Sequence, residues 1–112
     1  MEGLRETLGC HTCDKRSSRS TIHRTFPNYE IEKGFTEEDE LWRADYRETV
    51  EEQHARVKIA LDRIFSQVRD PYIAIVAHSG VIRSTLHALN HTKFEVGIGG
   101  VIPMLVKATI VG

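Results

Sequence analysis

Apolar positions along this chain follow more than one rhythm, and each rhythm predicts a different element. Between residues 50 and 68, Val57, Ala60, Leu61, Ile64, Phe65 and Val68 recur at spacings of three and four, which gathers them on one stripe of a helix. Thr49 and Glu52 stand at capping-box spacing at its start, and Arg69-Asp70-Pro71 ends it. Residues 72–77, "YIAIVA", then form a continuous, β-branched apolar run of strand length, the kind buried on both faces of a parallel sheet. A helix over 80–89 is predicted directly after it, with Val81, Ile82, Leu86 and Leu89 inward and Asn90 as its C-terminal cap. A second strand is expected over 102–111, with Pro103 near its start, where a missing N–H does least harm.

The remaining chain is less regular. Ser17 or Ser18 caps a short helix over 17–25, which Pro27 and Gly34 break off, and residues 30–48 carry no sustained period and read as surface loop. "GIGG" at 97–100 precedes a strand instead of following one, so it too reads as loop. No repeat or linker divides the chain, and residues 1–112 read as one domain. The order helix, strand, turn, helix predicts an α/β fold. It is short of strands, because helices on both sides of a parallel sheet need more strands between them than this pattern supplies.

Composition narrows the function classes. A hydrophobic content of 40 % with 28 % charged residues is that of a soluble globular domain, and the formal net charge of -1 offers no basic field for duplex nucleic acid. No apolar run approaches the roughly 20 residues of a membrane span, and "MEGLRETLGC" lacks the apolar centre of a secretory signal. A cytoplasmic location with no membrane partner is the expectation. Charge is nevertheless uneven: Arg5, Lys15, Arg16, Arg19 and Arg24 precede an acidic stretch whose densest point is "TEEDE". Two solvated faces account for that pattern; the sharper reading is an anionic ligand near the basic stretch, with Arg16 as a phosphate-binding candidate.

The residues with chemistry to offer sit at the junctions. In "AIVAHSGVIR", His78 falls between a strand and the first free amides of a helix, at the edge where open α/β sheets bind ligands. A helix N-terminus offers unsatisfied donors and partial positive charge, so His78, Ser79 and Gly80 together suit a phosphate. The plainer alternative is a histidine hydrogen-bonded to a loop carbonyl. Glu6 is a candidate general acid, a role that calls for enough burial to raise its pKa; as an ordinary surface carboxylate it needs no role. Cys10 and Cys13 have C-x-x-C spacing and begin a zinc site with His11 or His23, but a closed site needs more ligands and no second cysteine pair exists. A redox dithiol lacks the preceding strand. His54, His87 and His91 have no partner at ligand spacing.

"LRETLGCHTCDKRS", then "IAIVAHSGVIRSTL", then "GGVIPMLVKA", in that order across essentially the whole chain, resembles the later part of a histidine phosphatase superfamily protein. Within that superfamily the likeness is strongest to fungal phosphoglycerate mutase-like proteins. The resemblance implies a partial three-layer α/β/α fold with an incomplete, mostly parallel sheet. It implies Glu6 as proton donor to the leaving oxygen, His78 as a holder of the phosphoryl group, a small phosphorylated substrate, and neither metal nor cofactor. "AHSG" departs from the family's Ser-His-Gly-Gly context at Ala77 and Ser79, and the family's Arg-His-Gly segment, which bears the nucleophile, is not found in these residues. The expectation is therefore the C-terminal part of such a domain, truncated and inactive alone. A non-catalytic phospholigand-binding or interaction module is the alternative from another class, and a small zinc-binding module a weaker one. Exposed sheet edges would favour self-association.

Overall fold

Thr49 opens the longest element of the chain in the manner its spacing predicts. In the computed structural model, which describes residues 1–111, the Thr49 hydroxyl accepts from the Glu52 N–H at 3.2 Å. The Glu52 carboxylate in turn accepts from the Thr49 N–H at 2.8 Å, completing a reciprocal capping box. The described residues form three α-helices: α1 (Arg19–Thr25), α2 (Val50–Gln67) and α3 (Ser79–Ala88), with 3-10 turns at Glu2–Leu4 and Thr12–Asp14. Helix α1 starts at Ser18, whose hydroxyl accepts from the Thr21 N–H. At the end of α3, Asn90 takes a positive φ of 51°, which its short polar side chain tolerates, and the His91 N–H returns to the Leu86 carbonyl at 2.9 Å.

The predicted stripe of α2 packs on α3. Val57, Leu61 and Val81 form the buried centre, and Leu4, Phe65, Ala77 and Ala88 close around it. The 3-10 turn at Glu2–Leu4 lies on the same helix, and Gly3 permits this: a Cβ there would stand 2.7 Å from the Ala60 Cβ.

The expected sheet is not formed. The α/β fold, the partial three-layer α/β/α architecture and its mostly parallel sheet are all contradicted, because no strand occurs among the described residues. A strand exists only where a neighbouring chain accepts and donates its backbone hydrogen bonds. Residues 72–77 and 102–111 find no such neighbour among the described residues, and they run as irregular chain instead. Apart from Ala77, which packs on the core, and half-buried Ile102, their apolar side chains are left largely in solvent, with Val76 at 96 % and Leu105 at 104 % exposure. The sheet edges expected to drive self-association therefore do not exist as such; what remains is unpaired apolar chain.

Everything before α2 is held by ion pairs more than by apolar burial. Arg56 of α2 makes a bidentate pair with Glu48, Nε to Oε1 and Nη2 to Oε2, both at 2.7 Å. The same guanidinium donates to the carbonyls of Gly3, Arg5 and Glu6. Glu48 completes the clasp, since its carboxylate accepts from the Leu8 N–H and its own N–H donates to the Leu8 carbonyl. A second clasp joins Arg5 to Asp39, at 2.9 and 2.7 Å. Burial pushes the Asp39 carboxyl up, but the Arg5 guanidinium and the N–H groups of Arg16 and Trp42 more than offset this and hold it well below the usual carboxylate range.

Two imidazoles stack where α2 meets α3. The rings of His54 and His87 lie 3.9 Å apart at 16°. Burial, His87 and Lys93 push His54 below its ordinary value, against the opposing pull of Glu51.

Two outcomes follow for stability. Arg56→Met leaves the Glu48 carboxylate, 7 % exposed, without its counter-charge. Loss of about 3–5 kcal/mol is expected, read as a lowered denaturant midpoint. For His54, the folded state binds its proton less readily than the unfolded state, so its contribution is complete above the ordinary value of 6.5 and is lost progressively as the pH falls from there through the lower folded-state value. Unfolding midpoints measured from pH 7.5 down to 5.5 should decline, and His54→Gln should flatten that decline; an unchanged slope would remove His54 from the account.

Candidate functional site

Glu6 and Gly80 at the start of α3 lie 74 residues apart in the chain and meet in space. Arg56 grips the backbone at Gly3, Arg5 and Glu6, and this delivers the Glu6 side chain to the N-terminus of α3. There, Glu6 Oε2 accepts from the Gly80 N–H at 3.0 Å. Its other oxygen, Oε1, accepts from the Thr7 N–H at 2.9 Å and from the Gln53 side-chain amide at 3.1 Å. A carboxylate at this end of a helix is favoured by the free amides and by the dipole. Gly80 is required for the approach, because a Cβ built there would overlap Glu6 Oε1.

Partial burial pushes the Glu6 carboxyl up, as a general acid would need. The N–H groups of Thr7 and Gly80, the Gln53 amide and the nearby charge of His78 outweigh it, and the carboxyl is held below its ordinary value. The group therefore stands ionised in the ligand-free chain at neutral pH.

His78 is the N-cap residue of α3 and makes no side-chain capping bond; it and Ser79 are exposed, while Gly80 is buried. The fold thus gathers Glu6, His78, Ser79 and Gly80 into one place. Arg16 lies outside this group. Its guanidinium is taken up by Glu2 and by the carbonyls of Ser17, Thr36, Glu37 and Glu38, and stacks on Phe35 at 4.0 Å. Cys10 and Cys13 are free thiols, and among the described residues no group of three or more His, Cys, Asp or Glu side chains converges as a metal site would require. Among the described residues, too, no helix is long and apolar enough to cross a membrane.

Sequence reasoning passed over Gln53, Ser84 and Arg56. Gln53 is 5 % exposed and Ser84 0 %, and the Ser84 hydroxyl donates to Gln53 Oε1 at 3.2 Å. A signal was there to find: Gln53 falls four residues before Val57 on the apolar stripe of α2, and Ser84 three after Val81 on that of α3. A polar side chain on a core stripe needs a buried partner.

Comparison with known proteins identifies relatives of this chain. The family model of the histidine phosphatase superfamily (branch 1) matches residues 1–97. A probable phosphoglycerate mutase of Arthroderma benhamiae is 48 % identical over 106 residues, covering 95 % of this chain and 32 % of that protein. A probable phosphoglycerate mutase of Saccharomyces cerevisiae is 37 % identical over 123 residues, covering 98 % and 42 %. Phosphoglycerate mutase-like protein 1 of Arabidopsis thaliana is 44 % identical over 90 residues, covering 80 % and 32 %. The chain spans about a third to two fifths of the length of these relatives. No solved structure matches.

Gly80→Ala tests the approach of Glu6 to α3. The clashing atom is the end of a flexible side chain, so the carboxylate should swing away while the helices persist. A net cost of about 1–2 kcal/mol is expected, the lost charged hydrogen bond being partly offset by the better helix former. The Glu6 carboxyl pKa, followed by 13C NMR, should rise toward its ordinary value.

Proposed function

Since the chain belongs to the histidine phosphatase superfamily, branch 1, we propose that it supplies the proton-donor and phosphoryl-holding half of a phosphoglycerate mutase-like site for a small phosphate ester. The observation that supports this most directly is the Glu6 carboxylate resting on the Gly80 N–H beside His78, a meeting of remote segments that structural packing alone does not call for. In this reading the phosphoryl group of the ester lies against His78, Ser79 and the first amides of α3, where fixed donors stabilise charge on its non-bridging oxygens.

The reaction forms a bond from a histidine nitrogen to phosphorus and breaks the bond from phosphorus to the ester oxygen. The electron pair leaves on that oxygen, which takes a proton from Glu6. Glu6 must first be protonated, and it is ionised in the ligand-free chain. A phosphate dianion arriving beside it raises its pKa by like-charge repulsion, so substrate binding and proton uptake are coupled. Water or a second hydroxyl, deprotonated by the same carboxylate, then takes the phosphoryl group from the histidine. The nucleophile is the family's Arg-His-Gly histidine, for which these residues have no counterpart. The 112 residues alone are therefore proposed to bind phosphate without turning over an ester. That behaviour is shared with a non-catalytic phospholigand module, and adding the nucleophile separates the two.

The test is a fusion of this chain to the remainder of the Arthroderma benhamiae relative. The fusion should hydrolyse or transfer phosphate from small monoesters, and His78→Ala should lower turnover by about 10²–10³. Glu6→Gln should slow alkyl esters far more than an activated aryl phosphate, whose oxygen hardly needs a proton. A folded fusion without phosphohistidine and without turnover would favour the non-catalytic module. In the unfused chain, Glu6→Gln should tighten inorganic phosphate binding, because it removes the competing anion; rapid ester turnover there would refute the division of labour proposed here.

A further inference from the structure

The two oxygens of Glu6 are not equivalent. Oε1 accepts from the Thr7 N–H at 2.9 Å and from Gln53 Nε2 at 3.1 Å, whereas Oε2 accepts from the Gly80 N–H alone. Gln53 itself has no freedom to turn. Its Nε2 also donates to Thr7 Oγ1 at 3.1 Å, its Oε1 accepts from the Ser84 hydroxyl at 3.2 Å, and both Gln53 and Ser84 are buried.

The chemistry of the carboxylate sets the orientation of the whole chain of bonds. An ionised carboxylate is acceptor only, so the amide must present its NH2 to Glu6 and its carbonyl to Ser84, and Ser84 must donate. A flipped amide would set its carbonyl oxygen against Oε1 with both atoms desolvated, which costs more than any gain on the Ser84 side.

We infer that Gln53 is a positioning residue for the proton-transfer step: by keeping Oε1 filled with donors, it directs the transferable proton of Glu6 to Oε2, the oxygen whose one donor is the Gly80 N–H. This rests on the reading of Glu6 as proton donor and names the atom that performs the role. A proton on Oε1 would have to displace the Thr7 N–H or the Gln53 amide. A proton on Oε2 leaves both in place and leaves a lone pair there for Gly80. The relay from Ser84 through Gln53 joins α2, α3 and the Glu6 segment, so the orientation is set by the core and not by the mobile end of one side chain.

The test is made on the ligand-free chain and needs no turnover, so its failure is distinct from failure of the catalytic reading. With selectively labelled Glu and Gln, the Glu6 carboxyl and the Gln53 side-chain amide are followed by NMR from pH 7 to pH 3. The Gln53 NH2 resonances should move with the Glu6 midpoint, and Glu6→Gln should abolish that movement. Gln53→Met should raise the Glu6 midpoint by about half to one pH unit, because one of its donors is lost. Rescue is expected from no apolar residue. If Gln53→Met does not fold, the unsubstituted chain still decides: amide resonances that stay flat through the Glu6 titration overturn the inference. An unchanged Glu6 midpoint in a folded Gln53→Met chain overturns it equally.

Discussion

The guanidinium of Arg56 is the constraint on which the remaining geometry depends. Helices α2 and α3 could pack through Val57, Leu61 and Val81 with no help from the first residues of the chain. Those residues form no sheet and only short 3-10 turns, and Leu4 is their main apolar contribution to the core. Their backbone is fixed because Arg56 fills the carbonyls of Gly3, Arg5 and Glu6 while its charge is balanced by Glu48. A planar, forked donor can serve a carboxylate and several carbonyls at once; a lysine at this position could match the charge but not the geometry. The Glu6 carboxylate thus reaches α3 from a segment with little local structure of its own.

The helices were legible in the sequence, and the sheet was not, for one physical reason. The limits of α2 follow from local features: a capping box at Thr49 and Glu52 and a stripe that closes on itself every three or four residues. The end of α3 at Asn90 is local in the same sense. The apolar run at 72–77 has equally clear strand character, but a strand depends on a partner outside itself, and no described residues supply one. Local pattern reports what a segment is suited to, while pairing decides what it becomes.

The site was half legible. Motif and junction mark Glu6 and the run His78, Ser79, Gly80 separately in the sequence, and the fold brings them together. The charge of Arg16, which sequence displays, points to phosphate, but its guanidinium is occupied by carbonyls of the 36–38 loop, which sequence does not display. The buried pair Gln53 and Ser84 is masked in the sequence because both sit within apolar stripes, whose hydrophobic members alone suffice to define the helices. Proton donation calls for a raised pKa at Glu6, and burial does act in that direction; the donors around it act more strongly in the other.

The contact between Glu6 and Gly80 ties together two positions that no local rule would relate. While the Glu6 carboxylate rests on the Gly80 N–H, position 80 has no room for a side chain. A shorter aspartate at position 6 would withdraw the carboxylate and relieve the restriction at position 80. Across related sequences the two should consequently vary as a pair: glutamate accompanied by glycine where the contact is kept, and larger residues at the helix start where the acid has shortened, gone or turned aside. Such joint variation would record, in the history of the family, a contact that a single sequence keeps out of view.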